Sequence, residues 1–590
     1  MRPVLVFDSE VFINWTLFYF RNIVTREEFR FEHPMDLEGL KTVIREHRLV
    51  TFNGTGYDIP ILMLALKGAT AAELKAASNR IIVHNLKPWN FEKEFGVKLN
   101  PRGLDHVDLM DVAPMTGSLK LYGARMHSRF IQELPLPHET VVTPEQIQML
   151  TEYCSNDLET TEDLYRTLKE PLELREAMSA KYQLDLRSKS DAQIAEAVIK
   201  KEVEKLKGVA VVKSDPSSHV GNKFKYLSPA WVKLDAIDIL PDVLNADFIV
   251  NDSGKVVIPS ELSGRDISIG GTTYRMGIGG LHSKEQSRYV EADEDHLLMD
   301  FDVRGYYPEG ILRQGLFPPN MGPEFMRVFR FMVNDRVKAK LEQRSSDAAS
   351  LKIITLACFG KMGSRWSVLY HPPLVVQVTV TGQLILLMII ETFVSIPGVE
   401  VISCNTDGVT VRCHKDSVPD VLSAVKEWES ITGFVMERTD YRGIYSRDVN
   451  NYVAVLTNGD VKSKGVYGKG LPLQKNPVAT ICSRAVIDYL TLGASIRGTV
   501  EASEDMREFV CVRSVTGGAL YKGEYVGKVV RWYYTISTET FTVKLNGNKV
   551  PKTDGAKPCM VLPLLIPEDL DREWYVKEAE SMLADMGVAV

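Results

Sequence analysis

The sequence predicts a multidomain protein of α/β and α+β architecture, and three observations carry that reading. Its 590 residues exceed what one hydrophobic core holds, and at about 150 residues per domain they suggest roughly four domains. In the N-terminal third, apolar runs that end in carboxylates alternate with stretches of helical periodicity. The rest mixes strand-like runs, a basic helical hairpin and turn-rich connectors.

Composition narrows the class. With 45% hydrophobic and 25% charged residues, disordered, collagen-like and coiled-coil proteins are excluded. Lys+Arg 70 against Asp+Glu 77 leaves a net charge of −7, so no global basic field advertises nucleic acid. A local basic channel would suffice to bind one. The seven cysteines (Cys154, Cys358, Cys404, Cys413, Cys482, Cys511, Cys559) are never spaced C-x-x-C, which argues against a zinc ribbon or a disulfide framework and fits a reducing cytosol. The first apolar run breaks at Asp8, unlike a signal peptide. The longest apolar stretch, Leu384 to Ile390, falls short of the ~20 residues that span a bilayer. A soluble, cytoplasmic protein with no membrane partner is expected.

The chain opens on a short strand, Val4 to Phe7, ending in Asp8-Ser9-Glu10. A second run, Leu49 to Phe52, ends in Asn53-Gly54-Thr55-Gly56-Tyr57-Asp58, and helical periodicity follows at 61–67 and 71–77. A long helix is expected near 144–169, carrying Tyr153 and Asp157, and another over 194–206. Val250-Asn-Asp-Ser-Gly-Lys-Val reads as a hairpin. Then come a strand at 297–302, a basic helical hairpin at 323–360 broken at Ser345-Ser-Asp, a helix at 381–395, a strand–turn–strand at 399–412 and a final helix at 568–586.

The first constellation is four carboxylates. Asp8 and Glu10 lie two apart and share one face of a strand, while Tyr153 and Asp157 lie one helical turn apart. With Asp58 after its glycine-rich turn, these are the hard oxygen ligands and the phenol that a two-Mg²⁺ phosphodiester hydrolase needs. Any one of them alone is more often an ordinary strand-end or helix-surface carboxylate. Asp105, Asp108 and Asp111 are read as structural.

The second constellation pairs Asp302, at the end of a strand in Asp302-Val303-Arg-Gly-Tyr-Tyr307-Pro308, with Asp407 in the turn Asn405-Thr-Asp407-Gly408. Between them, Arg336 and Lys340 share one helix face, and Lys352, Leu356 and Phe359 share another. Three cations opposite two metal-binding aspartates would cradle a triphosphate. Phe359 would offer a flat apolar surface for a base, and Gly360 would let a template approach closely.

The first set resembles the DEDDy 3′–5′ proofreading exonucleases, whose fold is ribonuclease H-like. Asp8/Glu10 match Asp-x-Glu, Asn53 through Tyr57-Asp58 match Asn-x-x-x-Tyr/Phe-Asp, and Tyr153/Asp157 match Tyr-x-x-x-Asp. The resemblance implies that Asp8, Glu10, Asp58 and Asp157 bind metals, Tyr153 orients the nucleophile, and Asn53 and Tyr57 contact the strand. The second set resembles the family B DNA polymerases. Asp302-x-x-Gly-Tyr-Tyr-Pro, Lys352-x6-Phe359-Gly360 and Asn405-Thr-Asp407-Gly match its motifs in order. Gly277-Ile-Gly279-Gly280 is similar to its Tyr-x-Gly-Gly element, and Val449-Asn-Asn-Tyr452 with Lys464 stands where primer-gripping residues lie.

By that resemblance Asp302, Val303 and Asp407 would bind metal, and Arg336, Lys340 and Lys352 the triphosphate. Phe359 would pack on the nascent pair and Tyr307 would act as the sugar gate. Gly279, Gly280, Gly360, Tyr452 and Lys464 would contact DNA. Two Mg²⁺ per active site are implied, with Mn²⁺ as substitute. The implied partners are primer–template DNA, a single-stranded DNA 3′ end and dNTPs, with replisome proteins beyond them, around a monomer.

The implied architecture is a ribonuclease H-like exonuclease domain (1–185) and a connector of unread role (186–270). A right-hand polymerase follows: palm (271–322 and 362–468), a short fingers hairpin (323–361), and a thumb and C-terminal region (469–590). Only 50 residues separate Asp302 from Lys352, and 55 separate Lys352 from Asp407. Protein-primed relatives carry insertions in both gaps, so a compact bacteriophage-type enzyme with a nucleic-acid primer is expected. Asn405, Phe359 and Asn450 depart from the family's Asp, Tyr and Lys, so two other readings stay open: an exonuclease with a degenerate, DNA-holding polymerase module, and a non-enzymatic replisome scaffold.

Overall fold

In the computed structural model, which describes residues 2–468, 470 and 473–589, the first apolar run becomes a strand, β1 (Val4–Val11), covered on both faces. It pairs antiparallel with β2 (Thr16–Asn22), which pairs with β3 (Glu28–Glu32); on its other side lie, in parallel, β4 (Arg48–Thr51) and then β5 (Asp105–Asp108). Alternation along β1 sends Leu5 and Phe7 into one core, with α1 (Leu37–Glu46), α2 (Asp58–Ala65), α3 (Ala71–Ile82) and α4 (Pro88–Phe95). Val6 enters the opposite core, against Tyr122 of α5 (Leu119–Arg125) and Leu150, Cys154 and Leu158 of α6 (Pro144–Thr167). Asp8 and Glu10 share the parity of Val6, so the pleat aims both toward α6. α6 starts at Pro144, and Gln146 Oε1 accepts from the Thr143 N–H at 3.0 Å, satisfying a donor before the first turn. A further helix, α7 (Lys169–Tyr182), follows.

The protein is a mixed α/β, multidomain chain of two compact units. The first comprises Met1–Ser190, Gly470–Ile481 and Glu501–Tyr575; the second comprises Asp191–Lys469, Cys482–Val500 and Val576–Val590. Lys469, where the C-terminal region was expected to begin, lies outside the described residues.

Residues 191–270, most of the segment in which the sequence shows no motif, belong to the second unit. Helix α8 (Asp191–Lys207) packs on the antiparallel pair α11 (Glu324–Leu341) and α12 (Ser345–Met362), and Lys361 Nζ meets Glu196 Oε2 at 2.9 Å. After β6 (Lys223–Phe224) and α9 (Leu240–Asn245), the hairpin read at Val250–Lys255 forms between β7 (Phe248–Val250) and β8 (Val256–Val257). Ser345-Ser-Asp, read as the break in the basic hairpin, is instead the first turn of α12. The bend is the segment before it, where Arg344 ties Asp335 and Asp347 at 2.9 and 2.5 Å.

A ten-stranded sheet organises this unit. Its strands are β9 (Ile267–Ile269), β10 (Thr272–Met276), β11 (Leu281–Ser283), β12 (Arg288–Glu291), β13 (His296–Val303), β14 (Val399–Thr406), β15 (Gly408–His414), β16 (Met436–Asp448), β17 (Asn451–Leu456) and β18 (Val461–Ser463). They run in the order β18-β17-β16-β13-β15-β14-β11-β10-β9, with β12 on β16. Helices α10 (Tyr306–Arg313), α13 (Pro372–Ser395) and α14 (Val418–Thr432) complete the framework.

α13 begins nine residues before the sequence suggests. Its first turns are rich in valine, a strand former, yet they are helical, with Val376 and Val380 buried in one core with Met299, Phe301, Val401 and Val409. Contrary to the expectation from its apolar stretch, α13 is long and apolar enough to cross a membrane, but 78% of its most apolar window is buried inside the fold. It is a core helix.

The C-terminal 120 residues do not form one body. A four-stranded sheet, β21-β19-β20-β22, built from β19 (Cys511–Tyr521), β20 (Glu524–Tyr534), β21 (Phe541–Val543) and β22 (Ala556–Pro558), belongs to the first unit. Helices α15 (Thr480–Leu492), α16 (Ile496–Ala502) and α17 (Arg572–Ala584) cross between units in sequence, and α17 starts four residues after the expected Glu568. Arg531 is one of the ties within this grouping, beside the packing of Leu121, Ala124 and Ile131 on Val512 and Val529. Its fully buried guanidinium donates to the carbonyls of Ser128 (2.7 Å), Arg129 (3.1 Å), Cys559 (2.7 Å) and Met560 (3.2 Å). Arg531, Trp532, Tyr533 and Tyr534 are therefore core, not a surface for a partner.

Arg531→Met should cost roughly 2–4 kcal/mol, because it takes the guanidinium donor from the Ser128 and Cys559 carbonyls, while those of Arg129 and Met560 keep the N–H groups of Leu562 and Ile131. Denaturant titration with fluorescence from the Trp532 region should show the loss; an unchanged midpoint would contradict the role.

Candidate functional site

The first cluster lies within the first unit. Asp8 and Glu10 leave β1 on the α6 side, and with Cys154 they present ligand atoms within 4.8 Å of one another. Cys154 Sγ donates to Asp8 Oδ2 at 3.6 Å. Asp58 opens α2, and its Oδ1 accepts from Ser9 Oγ at 2.6 Å. The loop that delivers it is shaped by Asp108, whose carboxylate accepts from the N–H groups of Asn53, Thr55 and Met110 at 2.9, 2.9 and 3.0 Å. Asn53 takes a left-handed φ of 63°, and a Cβ at Gly54 would sit 2.1 Å from Thr51 Oγ1. Asp105 pairs with Arg48 and Arg187. Asp105 and Asp108 thus have the structural roles read for them.

An open cleft of about 510 Å³ is lined by Glu10, Asn53, Tyr57, Lys120, Tyr153 and Asp157 among others. Tyr57, expected on the substrate side, lines the cleft, but its hydroxyl shares a hydrogen bond with Ser78 Oγ at 2.9 Å. Burial raises the proton affinity of Asp8, and Asp58, Asp157 and Glu10 add to it. Glu10 is raised likewise by burial, Asp157 and Asp58, with Lys120 opposing. Burial lifts Asp58 to about 7 against its hydrogen bond from Ser9, and lifts Asp157 to about 6 against Lys120 and Tyr153. The four carboxylates therefore act as one electrostatic group. Lys120 is the functional neighbour that the sequence does not reveal. It sits 5.5 Å above the Tyr153 ring and pairs with Glu133 at 3.0 Å. No motif marks it.

The second cluster lies within the second unit. Asp302 pairs with Gly408 in the β13–β15 ladder, and the Val303 N–H donates to the Asp407 carbonyl at 2.8 Å. A Cβ at Gly408 would fall 2.3 Å from Asp302 Oδ1, so glycine is required for this carboxylate to stand beside the turn. Thr406 holds the turn with φ 63°. Burial raises Asp302, with Asp300 adding and Lys462 opposing; burial also raises Asp407, with Asp302 adding and Lys464 opposing. The Gly277–Gly280 turn is clamped by Gln383, which both donates to and accepts from Gly277. A Cβ at Gly280 would press on Thr406 at 3.0 Å, while Gly279 accepts from the Tyr307 hydroxyl at 3.1 Å.

On the helical hairpin Lys340 and Lys352 are exposed. Arg336 is half-buried and its Nε has no hydrogen-bond partner; burial lowers its proton affinity against the pull of Glu437. Tyr307 and Phe359, read as flanking a nucleotide, stack on each other at 4.2 Å and 2°. Gly360 lies in α12 with open space where a Cβ would be, so no internal contact requires glycine there. Tyr452 is buried, and Lys464 reaches 5.8 Å from its ring.

Two features are invisible to sequence patterns. Asn405, read as a neutralised metal ligand, has its amide spent on the turn: Nδ2 donates to the Val449 carbonyl at 2.8 Å, and Oδ1 accepts from Thr406 Oγ1 at 3.2 Å. Lys462, on β18, reaches Asp300 Oδ2 and Asp302 Oδ2 at 3.2 and 3.3 Å. In the sequence it stands out only as part of Lys462-Ser-Lys464, because strand register, not spacing, aims it.

Neither a comparison with models of known protein families nor one with curated proteins finds a match for the chain.

Two expectations come from the charge distribution. A folded state that holds protons more tightly than the unfolded chain loses stability as pH rises, here between about 4 and 7. Asp58→Asn should therefore stabilise the metal-free protein by roughly 2 kcal/mol or more at pH 8, and the gain should shrink below pH 6. Thermal unfolding at both pH values, with chelator present, checks this. Asn405→Asp turns a carboxylate toward the Val449 carbonyl and adds charge beside Asp407; it should cost about 1–3 kcal/mol rather than create a better site.

Proposed function

We propose that the chain is a DNA-dependent DNA polymerase that extends a primer 3′-OH with dNTPs and removes mispaired ends with a 3′–5′ exonuclease. The proposal takes the first unit's N-terminal region as a ribonuclease H-like exonuclease and the second as palm and fingers of family B type. The observation that carries it is the junction of Asp302 and Asp407. Two acidic side chains 105 positions apart are brought to adjoining points on β13 and the β14–β15 turn, with a glycine making the space, in the same unit as a basic helical hairpin.

Both donor sets fit a divalent cation: they are hard carboxylate oxygens held close together, largely buried in the first set and partly exposed in the second, whose mutual repulsion a cation would relieve. In the exonuclease, Asp8, Glu10, Asp58 and Asp157 would hold Mg²⁺ or Mn²⁺; in the polymerase, Asp302, the Val303 carbonyl and Asp407 would. Such ions supply Lewis-acid stabilisation of phosphoryl charge and a more acidic water or hydroxyl.

The chain's own groups supply the rest. The Tyr153 phenol, kept protonated by burial and by Asp157, is a hydrogen-bond donor beside the cleft and would orient a water. Asn53 would hold the strand entering it. Lys340 and Lys352, exposed on the hairpin, and Arg336, half-buried, would offset charge on a leaving pyrophosphate. The Tyr307–Phe359 stack would part so that one ring lies under the sugar and the other on the base pair. Lys464 would hold the primer end; Tyr452, expected to share that role, is a core residue beneath it. The reading of a decayed polymerase module draws on Asn405 and on Lys462 standing at Asp302; the same assay decides it.

A primer–template assay with Mg²⁺, with and without dNTPs, reads both activities. Asp302→Ala and Asp407→Ala should each lower incorporation by at least about a hundredfold while leaving degradation. Asp8→Ala with Glu10→Ala should do the reverse. Incorporation untouched by Asp407→Ala, or absent from the wild-type chain, defeats the proposal.

A further inference from the structure

The second carboxylate centre contains a cation of its own. Lys462 lies on β18, the edge strand, and its Nζ reaches Asp300 Oδ2 at 3.2 Å, the Tyr441 hydroxyl at 3.2 Å and Asp302 Oδ2 at 3.3 Å. Asp300 cannot turn away. It is buried between strands, accepts from Thr410 Oγ1 at 2.7 Å, and takes the Tyr441 hydroxyl on its other oxygen. The ammonium is therefore anchored by Asp300 and Tyr441 and shared with Asp302.

The surrounding charges favour a weak metal site. Lys464 also acts on both Asp302 and Asp407. Glu437 lies across the ladder from Asp302 and interacts with Arg336. Asn405 brings no charge, and its amide is committed to Val449 and Thr406. In the first unit, by contrast, four carboxylates face Lys120, which is itself paired with Glu133.

We propose that Lys462 is a positioning residue and resident counter-cation: it holds Asp302 in place, and a divalent cation must displace it from that carboxylate, so this centre takes metal more weakly than the four-carboxylate centre. The inference rests on the reading of Asp302 and Asp407 as metal ligands. Its consequence is a hierarchy. At low divalent concentration the chain degrades 3′ ends, and synthesis appears only as the second centre fills. The Asp300–Tyr441 anchor leaves the ammonium close by after displacement, as fixed positive charge beside the reacting phosphates.

The test is Mn²⁺ titration of the full chain, following the free-ion EPR signal, in an Asp8→Asn/Asp58→Asn background that silences the first centre. Lys462→Met should tighten Mn²⁺ at the second centre at least threefold, Lys462→Arg should stay within twofold of the parent, and Asp407→Asn should weaken it. Half-saturating Mg²⁺ for nucleotide incorporation by the wild-type chain should exceed that for 3′ degradation.

Unchanged or weaker Mn²⁺ binding in a folded Lys462→Met protein overturns the proposal. A second measurement needs no variant: amine acylation of Lys462, read by mass spectrometry, should rise when Mg²⁺ is added, and no change counts equally against it. If Lys462 governs Mn²⁺ affinity but no nucleotide is incorporated, the polymerase reading fails and the counter-cation role stands. If nucleotide is incorporated while Mn²⁺ affinity is indifferent to Lys462, the polymerase reading stands and the counter-cation role fails.

Discussion

Carboxylates buried side by side repel one another and lose hydration together, so they remain close only where the surrounding fold gives them no alternative. In the first unit the frame is β1, whose pleat puts Asp8 and Glu10 on the face that α6 covers with Tyr153, Cys154 and Asp157. The tight loop before α2, held by Asp108, brings Asp58 against Ser9. Removing that frame would let the carboxylates separate and ionise normally; keeping it leaves a well of proton affinity that a divalent cation relieves.

The second unit meets the same constraint differently. There the pair is smaller, Asp302 and Asp407, and a ladder contact with Gly408 decides how close they come. The repulsion is partly met from within the chain by Lys462. Two centres on one polypeptide thus sit at different points on one scale, from an excess of negative charge to near balance. The difference comes from a strand-edge lysine and from a turn amide spent on its own backbone.

The fold also shows what holds these frames in place. α13 is apolar along its length because the ten-stranded sheet packs on it, and its valine-rich start is helical for that reason. In the first unit the buried Arg531 replaces what in most cores would be an aliphatic side chain. It gathers carbonyls from residues 128–129 and 559–560, and with the packing of Val512 and Val529 on Leu121, Ala124 and Ile131 it ties residues 501–575 to the N-terminal part of the same unit.

How much of this is legible in the chain alone depends on the range of the interaction. Period-two and period-3.6 patterns place β1, α6, β13 and the α11–α12 pair close to where they lie; Asp8/Glu10 and Tyr153/Asp157 stand out by their spacing, and Asp58 by its place after a glycine-rich turn. Local chemistry is sufficient there, because a strand's pleat and a helix's turn follow from neighbouring residues. Tertiary structure decided the rest: that Asn405 serves a turn, that Tyr57 bonds Ser78, that Lys120 and Lys462 stand by the carboxylates, and that Tyr307 and Phe359 stack. Each depends on register and packing between segments far apart in sequence. A one-residue shift in pairing would send Lys462 to the other face of its sheet, and no pattern within β18 records which register the fold adopts.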